Sequence, residues 1–210
     1  MKIEVLVPTL AGKGFDREKS LVRLLDSLDV PCEVRVQRET TARGGVLANN
    51  MLMAQGLAGD ADLFLVVCDD FEFKPGAIAG AVELFEDIFE GTDGVVALKQ
   101  ANILHIPDVT EFGCVMIGRE FLERFRGEFP YCPDYYHFYG DTELGLFAKH
   151  TGQYIFAEHC EVIHHHPMFS NAPKDNTHKA ARLCQMQDNA MWKKRRAAGL
   201  LWGRTFERGL

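Results

Sequence analysis

Short apolar runs alternate with segments of helical periodicity over the first hundred residues of this 210-residue chain. The clearest run is DLFLVV at residues 62–67, which predicts a buried strand. Between residues 16 and 28, leucines recur at three- and four-residue steps, as on one face of a helix. The patterns predict strands at residues 3–7, 32–36, 62–67 and 95–99, and helices at residues 16–28, 46–57 and 77–89. Such alternation is typical of an α/β domain with a mixed, mainly parallel sheet and helices on both faces.

The second half of the chain alternates less regularly. It predicts strands at residues 113–118 and 154–157 and helices at residues 119–125 and 141–150. An aromatic loop, YCPDYYHFYG at residues 131–140, precedes the second of these helices. Residues 174–210 predict a helical tail that is locally basic, with KKRR at residues 193–196. We therefore predict one domain over residues 1–167 and a helical C-terminal extension over residues 168–210, packed on or near the side of the domain where an acceptor would bind.

Charge and apolar content argue against several classes of protein. The formal net charge of −7 does not suit a protein that coats nucleic acid indiscriminately, because such binding needs a basic surface. No stretch reaches the ~20 apolar residues that span a bilayer, and MKIEVLVPTL at the N-terminus is too short and too acidic for a signal peptide. The six cysteines lack CxxC pairing, which favours reduced thiols in structural roles. These features predict a cytoplasmic protein.

Two adjacent carboxylates, Asp69 and Asp70, follow the predicted strand at residues 62–67. In open α/β sheets, ligands bind at the carboxyl ends of the strands. Neighbouring carboxylates repel each other unless a cation offsets their charge, and Mg²⁺ or Mn²⁺ carrying diphosphate oxygens is a cation of the right kind. Two interpretations follow: a divalent metal site, or a polar strand end in which one aspartate caps the next turn.

The segment CDDFEFKPG, residues 68–76, resembles the acidic DxD-type motif of glycosyltransferase family 2. Members of that family have the GT-A fold, a Rossmann-like α/β fold of the nucleotide-diphospho-sugar transferase superfamily. On this resemblance Asp70 takes the metal-binding position. Cys68 stands where the first aspartate often stands, so Asp69 is its substitute. The resemblance extends over about residues 3–167.

Other segments resemble the donor and acceptor sides of the same family. The resemblance implies that Pro8 and Thr9, in VLVPTL, approach the nucleotide, and that Asn49, in GGVLANN, borders the donor site. Gly113, before CVMIGREFLERF, resembles the segment that runs under the acceptor site. The loop QRETTARGG would border the nucleotide base, with Glu39 as a contact.

The segment HFYGDTELGLFAKHTG, residues 137–152, resembles the helix start that carries the family's catalytic base. The resemblance implies that Asp141 is this base and that Glu143 is a second acidic residue on the acceptor side. Gly140 stands where the family commonly has glutamate. The helix macrodipole predicts that Asp141 stays ionised. The structural alternative is a helix N-terminus with favourable acids in its first turn.

Three consecutive histidines lie in EVIHHHP, residues 161–167. On a strand, His164 and His166 would share one face and His165 the other. Neutral imidazole is a good metal ligand, and in the resembling fold a histidine after the last core strand often completes the metal site. His164 and His166 are therefore candidate ligands, with surface positions as the alternative.

The resemblance implies a metal-dependent, inverting glycosyltransferase that uses Mn²⁺ or Mg²⁺ and a nucleotide-sugar donor. The acceptor is a carbohydrate, a small molecule or DNA, such as a modified base of a bacteriophage. Tyr139 and its aromatic neighbours suit stacking on a sugar or base, or packing on the core. The cluster at residues 193–196 suits phosphate binding, or is the solvated face of a helix.

Two other functions stay open on the sequence. A nucleotidyltransferase also uses acidic metal ligands on an α/β sheet, and AGKG at residues 11–14 faintly resembles its glycine-rich loop. A catalytically silent module that binds a nucleotide or a sugar would keep the fold. The departures at Cys68 and Gly140 favour that alternative.

Overall fold

Seven of the described strands form one mixed sheet. The computed structural model describes residues 1–10, 17–39, 44–108, 110–167, 170, 174, 176–201 and 204–205. The strands of the sheet are β1 (Ile3–Leu10), β2 (Glu33–Glu39), β3 (Leu63–Val66), β4 (Phe71–Phe73), β5 (Val95–Gln100), β6 (Val115–Gly118) and β7 (Tyr154–His164). The helices are α1 (Glu18–Asp26), α2 (Gly45–Leu57), α3 (Ala77–Ile88), α4 (Arg119–Glu123), α5 (Gly140–His150) and α6 (Asn176–Ala197). Two short strands, β8 (Leu200–Leu201) and β9 (Arg204–Thr205), pair with each other.

The strand order is β2-β1-β3-β6-β5-β7-β4. β1 pairs in parallel with both β2 and β3, and β5 pairs in parallel with β7. β6 is antiparallel to both of its neighbours, and β4 is antiparallel to β7 at the sheet edge. Five strands therefore share one direction, which confirms the predicted mixed, mainly parallel sheet.

Side-chain alternation along β1 shows how the sheet divides the core. Val5 and Val7 are buried on the face that α1 and α3 cover, whereas Leu6 is buried on the face that α2, α4 and α5 cover. Because both faces are covered, the central strands are apolar throughout, and all four residues of β3 are buried. The predicted helices on both faces are thus confirmed.

The structure differs from the sequence prediction at three places. β4 lies between the predicted strand at residues 62–67 and the predicted helix at residues 77–89, where the sequence analysis assigns no element. β7 runs on to His164 instead of ending at Ala157, because its register against β5 jumps from Ala157 to Glu161 and interrupts the alternation. Among the described residues of the predicted tail, α6 is the helical part, and Gly199, with a φ of 68°, follows its end before the β8–β9 pair.

The described cysteines are all free, and Cys114, Cys132 and Cys160 are buried. Among the described helices, none combines the length and apolar character needed to cross a bilayer.

Candidate active site

A cavity of about 510 Å³ opens where the carboxyl ends of β1, β2, β3 and β7 meet. The shared strand direction brings together side chains that are far apart in sequence. The predicted site residues that line the cavity are Pro8, Thr9, Glu39, Asn49, Asp69, Asp70, Gly113, Tyr139, Asp141, His164 and His166. Glu143 does not line it. AGKG at residues 11–14 and the segment 40–43 of the predicted base-binding loop lie outside the described residues.

Asp69, just after β3, is held by a cation and a hydroxyl. Arg17 Nε lies 3.0 Å from both of its carboxylate oxygens, and the Thr9 hydroxyl donates to Oδ2. Burial raises the pKa of Asp69, although Arg17 and Thr9 oppose that effect. Arg17 also lies 3.1 Å from Asp70, so one guanidinium offsets the repulsion between the two carboxylates.

Asp70 has one buried oxygen without a hydrogen bond. By geometric criteria its Oδ1 accepts none from the described residues, and His164 Nε2 lies 3.3 Å away. Burial alone would raise the pKa of Asp70, but His164 and Arg17 hold it well below its usual range. Asp70 is therefore ionised, with an unsatisfied oxygen beside an imidazole nitrogen.

His164 is oriented by the amide of Gln100. Gln100 Nε2 donates to the Thr110 carbonyl, so its Oε1, 2.8 Å from His164 Nδ1, faces the ring as an acceptor. The proton of a neutral His164 then resides on Nδ1, and Nε2 is the nitrogen able to bind a metal. Gly113 makes room for this arrangement, because a Cβ there would lie 2.9 Å from Gln100 Nε2.

The other two histidines of the run have different surroundings. His165 Nε2 lies 2.7 Å from Glu72 Oε2, away from the cavity lining. The His166 ring centroid is 5.3 Å from that of His164 and 4.6 Å from that of His178 on α6. Burial and the neighbouring His164 lower the pKa of His166 to about 4, so it is neutral at pH 7.

The candidate metal-ligating atoms at this edge of the sheet suit a divalent metal that is also coordinated by a bound ligand. Asp70 Oδ1 and His164 Nε2 are a carboxylate and an imidazole, both suitable for Mn²⁺. Within the described ranges, no group of three or more histidine, cysteine, aspartate or glutamate side chains could hold a metal ion. The protein would thus supply few ligands and leave positions open for phosphate oxygens, as Mg²⁺ and Mn²⁺ sites of this kind do.

Asp141 lies in the first turn of α5 and also lines the cavity. Its Oδ1 accepts a hydrogen bond of 2.8 Å from the Thr142 N–H. Burial nevertheless raises the pKa of Asp141 above its ordinary value, which is opposite in direction to the effect expected from the helix macrodipole. The desolvation of a carboxylate inside the cavity outweighs the favourable helix end.

Two neighbours of these acids, Gly140 and Cys68, depart from the family motif that the sequence resembles. Gly140 is buried, and a Cβ there would lie 3.0 Å from Val46 Cγ2 and 3.1 Å from Tyr131 Cβ, so a glutamate would require these side chains to move. The Cys68 thiol is accessible from the cavity. The surrounding protein and the charges of Asp70, Asp69 and Asp141 raise its pKa well above the ordinary value. Cys68 therefore lies among the three acids as a neutral thiol.

Sequence comparisons and structure comparisons give different results. No protein-family model matches the sequence, and no curated protein matches it significantly. Among solved structures, the mannosyltransferase PcManGT from Pyrobaculum calidifontis, in complex with GDP-Man and Mn²⁺, matches with a TM-score of 0.59 at 15% identity, over 95% of this chain and 76% of that one. GalNAc-T7 with UDP, GalNAc and Mn²⁺ matches with a TM-score of 0.57 at 12% identity, over 78% of this chain and 43% of that one.

S. aureus TarS matches with a TM-score of 0.56 at 15% identity, over 76% of this chain. The chain spans 35% of the length of TarS and 56% of TarS 1–349, which was solved with UDP-GlcNAc. These structures share one nucleotide-sugar transferase architecture. The chain has a GT-A fold.

Within the GT-A fold of this chain, Glu143 is a structural residue. It is fully buried and forms two hydrogen bonds with Arg195 of α6, from Nε to Oε1 at 2.7 Å and from Nη2 to Oε2 at 3.0 Å. The Tyr135 hydroxyl donates to the same carboxylate at 2.7 Å. The side chain of Glu143 points toward α6 and not into the cavity, and its acceptor-side role stays a prediction. The predicted basic cluster at residues 193–196 does not form one exposed surface, because Arg195 is buried while the other three side chains are exposed.

Several residues at this edge of the GT-A fold were missed by the sequence prediction. Arg17 and Gln100 orient the acids and His164, and Asp188 and Arg195 bind the aromatic loop and α5 from the far end of the chain. No spacing in the sequence links these residues to their partners. Only the doublet Asp69-Asp70 gives a signal, because two carboxylates require a nearby cation.

Proposed function

We propose that the protein transfers a sugar from a nucleoside-diphosphate sugar to an acceptor hydroxyl, with inversion at the anomeric carbon. One observation carries the proposal: Asp70 and Asp141 line the same cavity. Asp70 has an unsatisfied oxygen beside His164, and Asp141 lies in the first turn of α5. The GT-A fold supports a nucleotide-sugar donor. A carbohydrate, a small molecule and DNA all remain in the proposal as acceptors.

The donor side consists of the end of β3 and the residues that hold it. Asp70 and His164 would hold Mn²⁺ or Mg²⁺, which when bound offsets the charge that develops on the departing nucleoside diphosphate. Arg17 fixes Asp69 and lies 3.1 Å from Asp70, so the acids keep their positions before the donor arrives. Pro8, Thr9, Asn49 and Glu39 line the remaining donor side.

Asp141 would act as the base on the acceptor side. As the acceptor oxygen bonds to the anomeric carbon, the bond from that carbon to the phosphate oxygen breaks, and the acceptor proton passes to Asp141. The nucleoside diphosphate leaves with the electron pair of the broken bond. Because attack and departure occur on opposite sides of the sugar, the configuration inverts. With water in place of the acceptor, the same step hydrolyses the donor.

The pH dependence of the reaction should reflect the desolvation of Asp141. A base is active when ionised, so the rate should fall as the pH falls through the pKa of this carboxyl. Burial raises that pKa, so the midpoint of the acid limb should lie above the ordinary aspartate value of about 3.9. The measurement is kcat for nucleoside diphosphate release between pH 4 and 8. An acid limb at or below the ordinary value would contradict the role of Asp141.

The donor site is tested first by thermal unfolding with UDP or GDP, with and without Mn²⁺. A ligand of the native state at about 100 times its Kd should raise Tm by roughly 5–10 °C for a chain of this length. We expect a shift that requires Mn²⁺ in the wild type and that is lost in Asp70→Ala. No shift with any nucleotide would overturn the proposed function.

A matched pair of histidine variants separates the metal ligand from its neighbour. We expect His164→Ala to lose the Mn²⁺-dependent shift, because it removes the nitrogen beside Asp70 Oδ1. His165→Ala should keep the shift, since His165 contacts Glu72 outside the cavity lining. Equal losses in the two variants would mean that His164 has no special role.

The released product distinguishes the classes of enzyme. A glycosyltransferase releases nucleoside diphosphate from the sugar donor, whereas a nucleotidyltransferase releases pyrophosphate. A silent binding module would give the Mn²⁺-dependent shift without either product.

A further inference from the structure

Asp188 is a buried carboxylate outside the donor site. It lies on α6 with 2% of its surface exposed. Three backbone N–H groups of the aromatic loop donate to it, each at 2.9 Å: Tyr136 to Oδ1, and His137 and Phe138 to Oδ2. A buried charge is costly unless such donors surround it. The carboxylate therefore fixes the backbone of three consecutive loop residues.

The same side of α6 makes three more contacts with the segment that carries Asp141. Trp192 stacks on Tyr139, with ring centroids 5.2 Å apart and an interplanar angle of 6°, and the Tyr139 hydroxyl donates to Asn189. Arg195 binds Glu143 of α5. Residues 188, 192 and 195 are spaced by four and three positions, which places them on one helix face. One side of α6 thus contacts the chain on both sides of Asp141.

The backbone just before α5 needs this support. Tyr139 has a φ of 71°, in the left-handed region that non-glycine residues seldom adopt. Such a conformation persists where the surroundings determine it. Tyr139 precedes α5, and Asp141 follows two residues later. The contacts to Asp188, Asn189 and Trp192 therefore determine the direction in which α5, and Asp141 with it, begins.

We propose that Asp188 is a positioning residue, which orients the aromatic loop so that Asp141 and Tyr139 face the acceptor. The inference rests on the proposed function for the role of Asp141. The inference places α6 on the acceptor side of the proposed active site. Asp188 itself would not contact the reacting atoms. The hydrogen bonds that Asp188 accepts from the described residues come from the aromatic loop, and none comes from the ends of β1, β3 and β7 on the proposed donor side.

The test is Asp188→Asn, which preserves shape but replaces one carboxylate oxygen by an NH₂ group that cannot accept a hydrogen bond. Hydrogen–deuterium exchange of the amides at residues 136–138 should become about tenfold faster or more, as expected when a hydrogen bond to a charged group is lost. With UDP-GlcNAc or GDP-mannose, Mn²⁺ and water as acceptor, kcat should fall by about tenfold or more, while the donor KM changes by less than about twofold.

Asp87→Asn is the matched control, because it removes the same charge from an exposed helix position on α3. It should change neither exchange nor kcat. If Asp188→Asn does not fold, Asn189→Ala removes only the acceptor of the Tyr139 hydroxyl and should produce the same changes to a smaller degree.

The outcomes separate this inference from the proposed function. Unchanged exchange at residues 136–138, or unchanged kcat despite faster exchange, overturns the positioning role of Asp188. An equal rise in donor KM would mean a general structural role and overturns it as well. A wild type that neither binds nor hydrolyses a nucleotide sugar overturns the proposed function, whatever the exchange data show.

Discussion

Asp141→Asn is expected to lower the rate of nucleoside diphosphate release by about 10²- to 10⁴-fold, the usual contribution of a general base. Asparagine keeps the shape of the side chain and can still accept the Thr142 N–H. It cannot take the acceptor proton. Since burial raises the pKa of Asp141, the folded state holds its proton to a higher pH than the unfolded state does. The stability contribution of the protonated form is present below the ordinary pKa and lost as the pH rises through the raised one.

Above the raised pKa the ionised Asp141 carboxylate is therefore a cost to the fold, and in that pH range Asp141→Asn should keep or raise Tm. The measurements are product release and thermal unfolding of the same protein preparation, with Asp87→Asn as the control for loss of one charge. The Mn²⁺-dependent shift with nucleotide should persist. Retention of the wild-type rate would exclude Asp141 as the base, and a fall in Tm would contradict the desolvation argument.

Arg195→Met is expected to lower the free energy of unfolding by about 3–5 kcal/mol, the usual effect of leaving a buried charge without its partner. Glu143 is fully buried, and after the substitution the Tyr135 hydroxyl would be the one hydrogen-bond donor that the described residues still offer to its carboxylate. Methionine fills part of the volume of arginine, so lost packing contributes less than lost charge compensation. The measurement is the midpoint of urea unfolding.

The double variant Glu143→Gln/Arg195→Met is the informative control. A neutral glutamine beside methionine leaves no buried charge, so the double variant should be more stable than Arg195→Met alone. Equal stability of the two would show that the loss arises from packing. Arg196→Met should have a small effect, because the Arg196 side chain is exposed over the Trp192 ring.

The sequence predicts that the residues of the proposed donor side meet at one edge of the sheet, as they do in the structure, because strand direction determines their position. A buried apolar run followed by Asp69 and Asp70 places two carboxylates at the carboxyl end of a strand, and parallel neighbours bring the residues after their own strands to the same edge. The end of β7 delivers His164 in the same way. Such predictions need only the position of a residue relative to a strand.

The rest depends on tertiary contacts that leave no periodic signal. β4 has three residues, too few for a pattern, and it exists because β7 pairs with it. Glu143 resembles an acceptor-side acid by its position in the sequence. The direction of its side chain, however, depends on its hydrogen bonds with Arg195, 52 residues later. Likewise, the raised pKa of Asp141 depends on how deeply the cavity encloses it, which a helix N-terminus in the sequence does not reveal.

The contacts of α6 also bear on the order in which the parts of this chain fold during synthesis. The N–H groups of Tyr136, His137 and Phe138 meet an acceptor that follows them by 50 to 52 residues. During synthesis, N-terminal segments fold first. The sheet can therefore form, with Asp69 and Asp70 in place after β3, while α6 is still inside the ribosomal exit tunnel. A nascent chain at that stage has the residues for its donor but lacks the partner that fixes the loop before Asp141. Under the proposed role of Asp188, competence for transfer would require that α6 has docked against the aromatic loop.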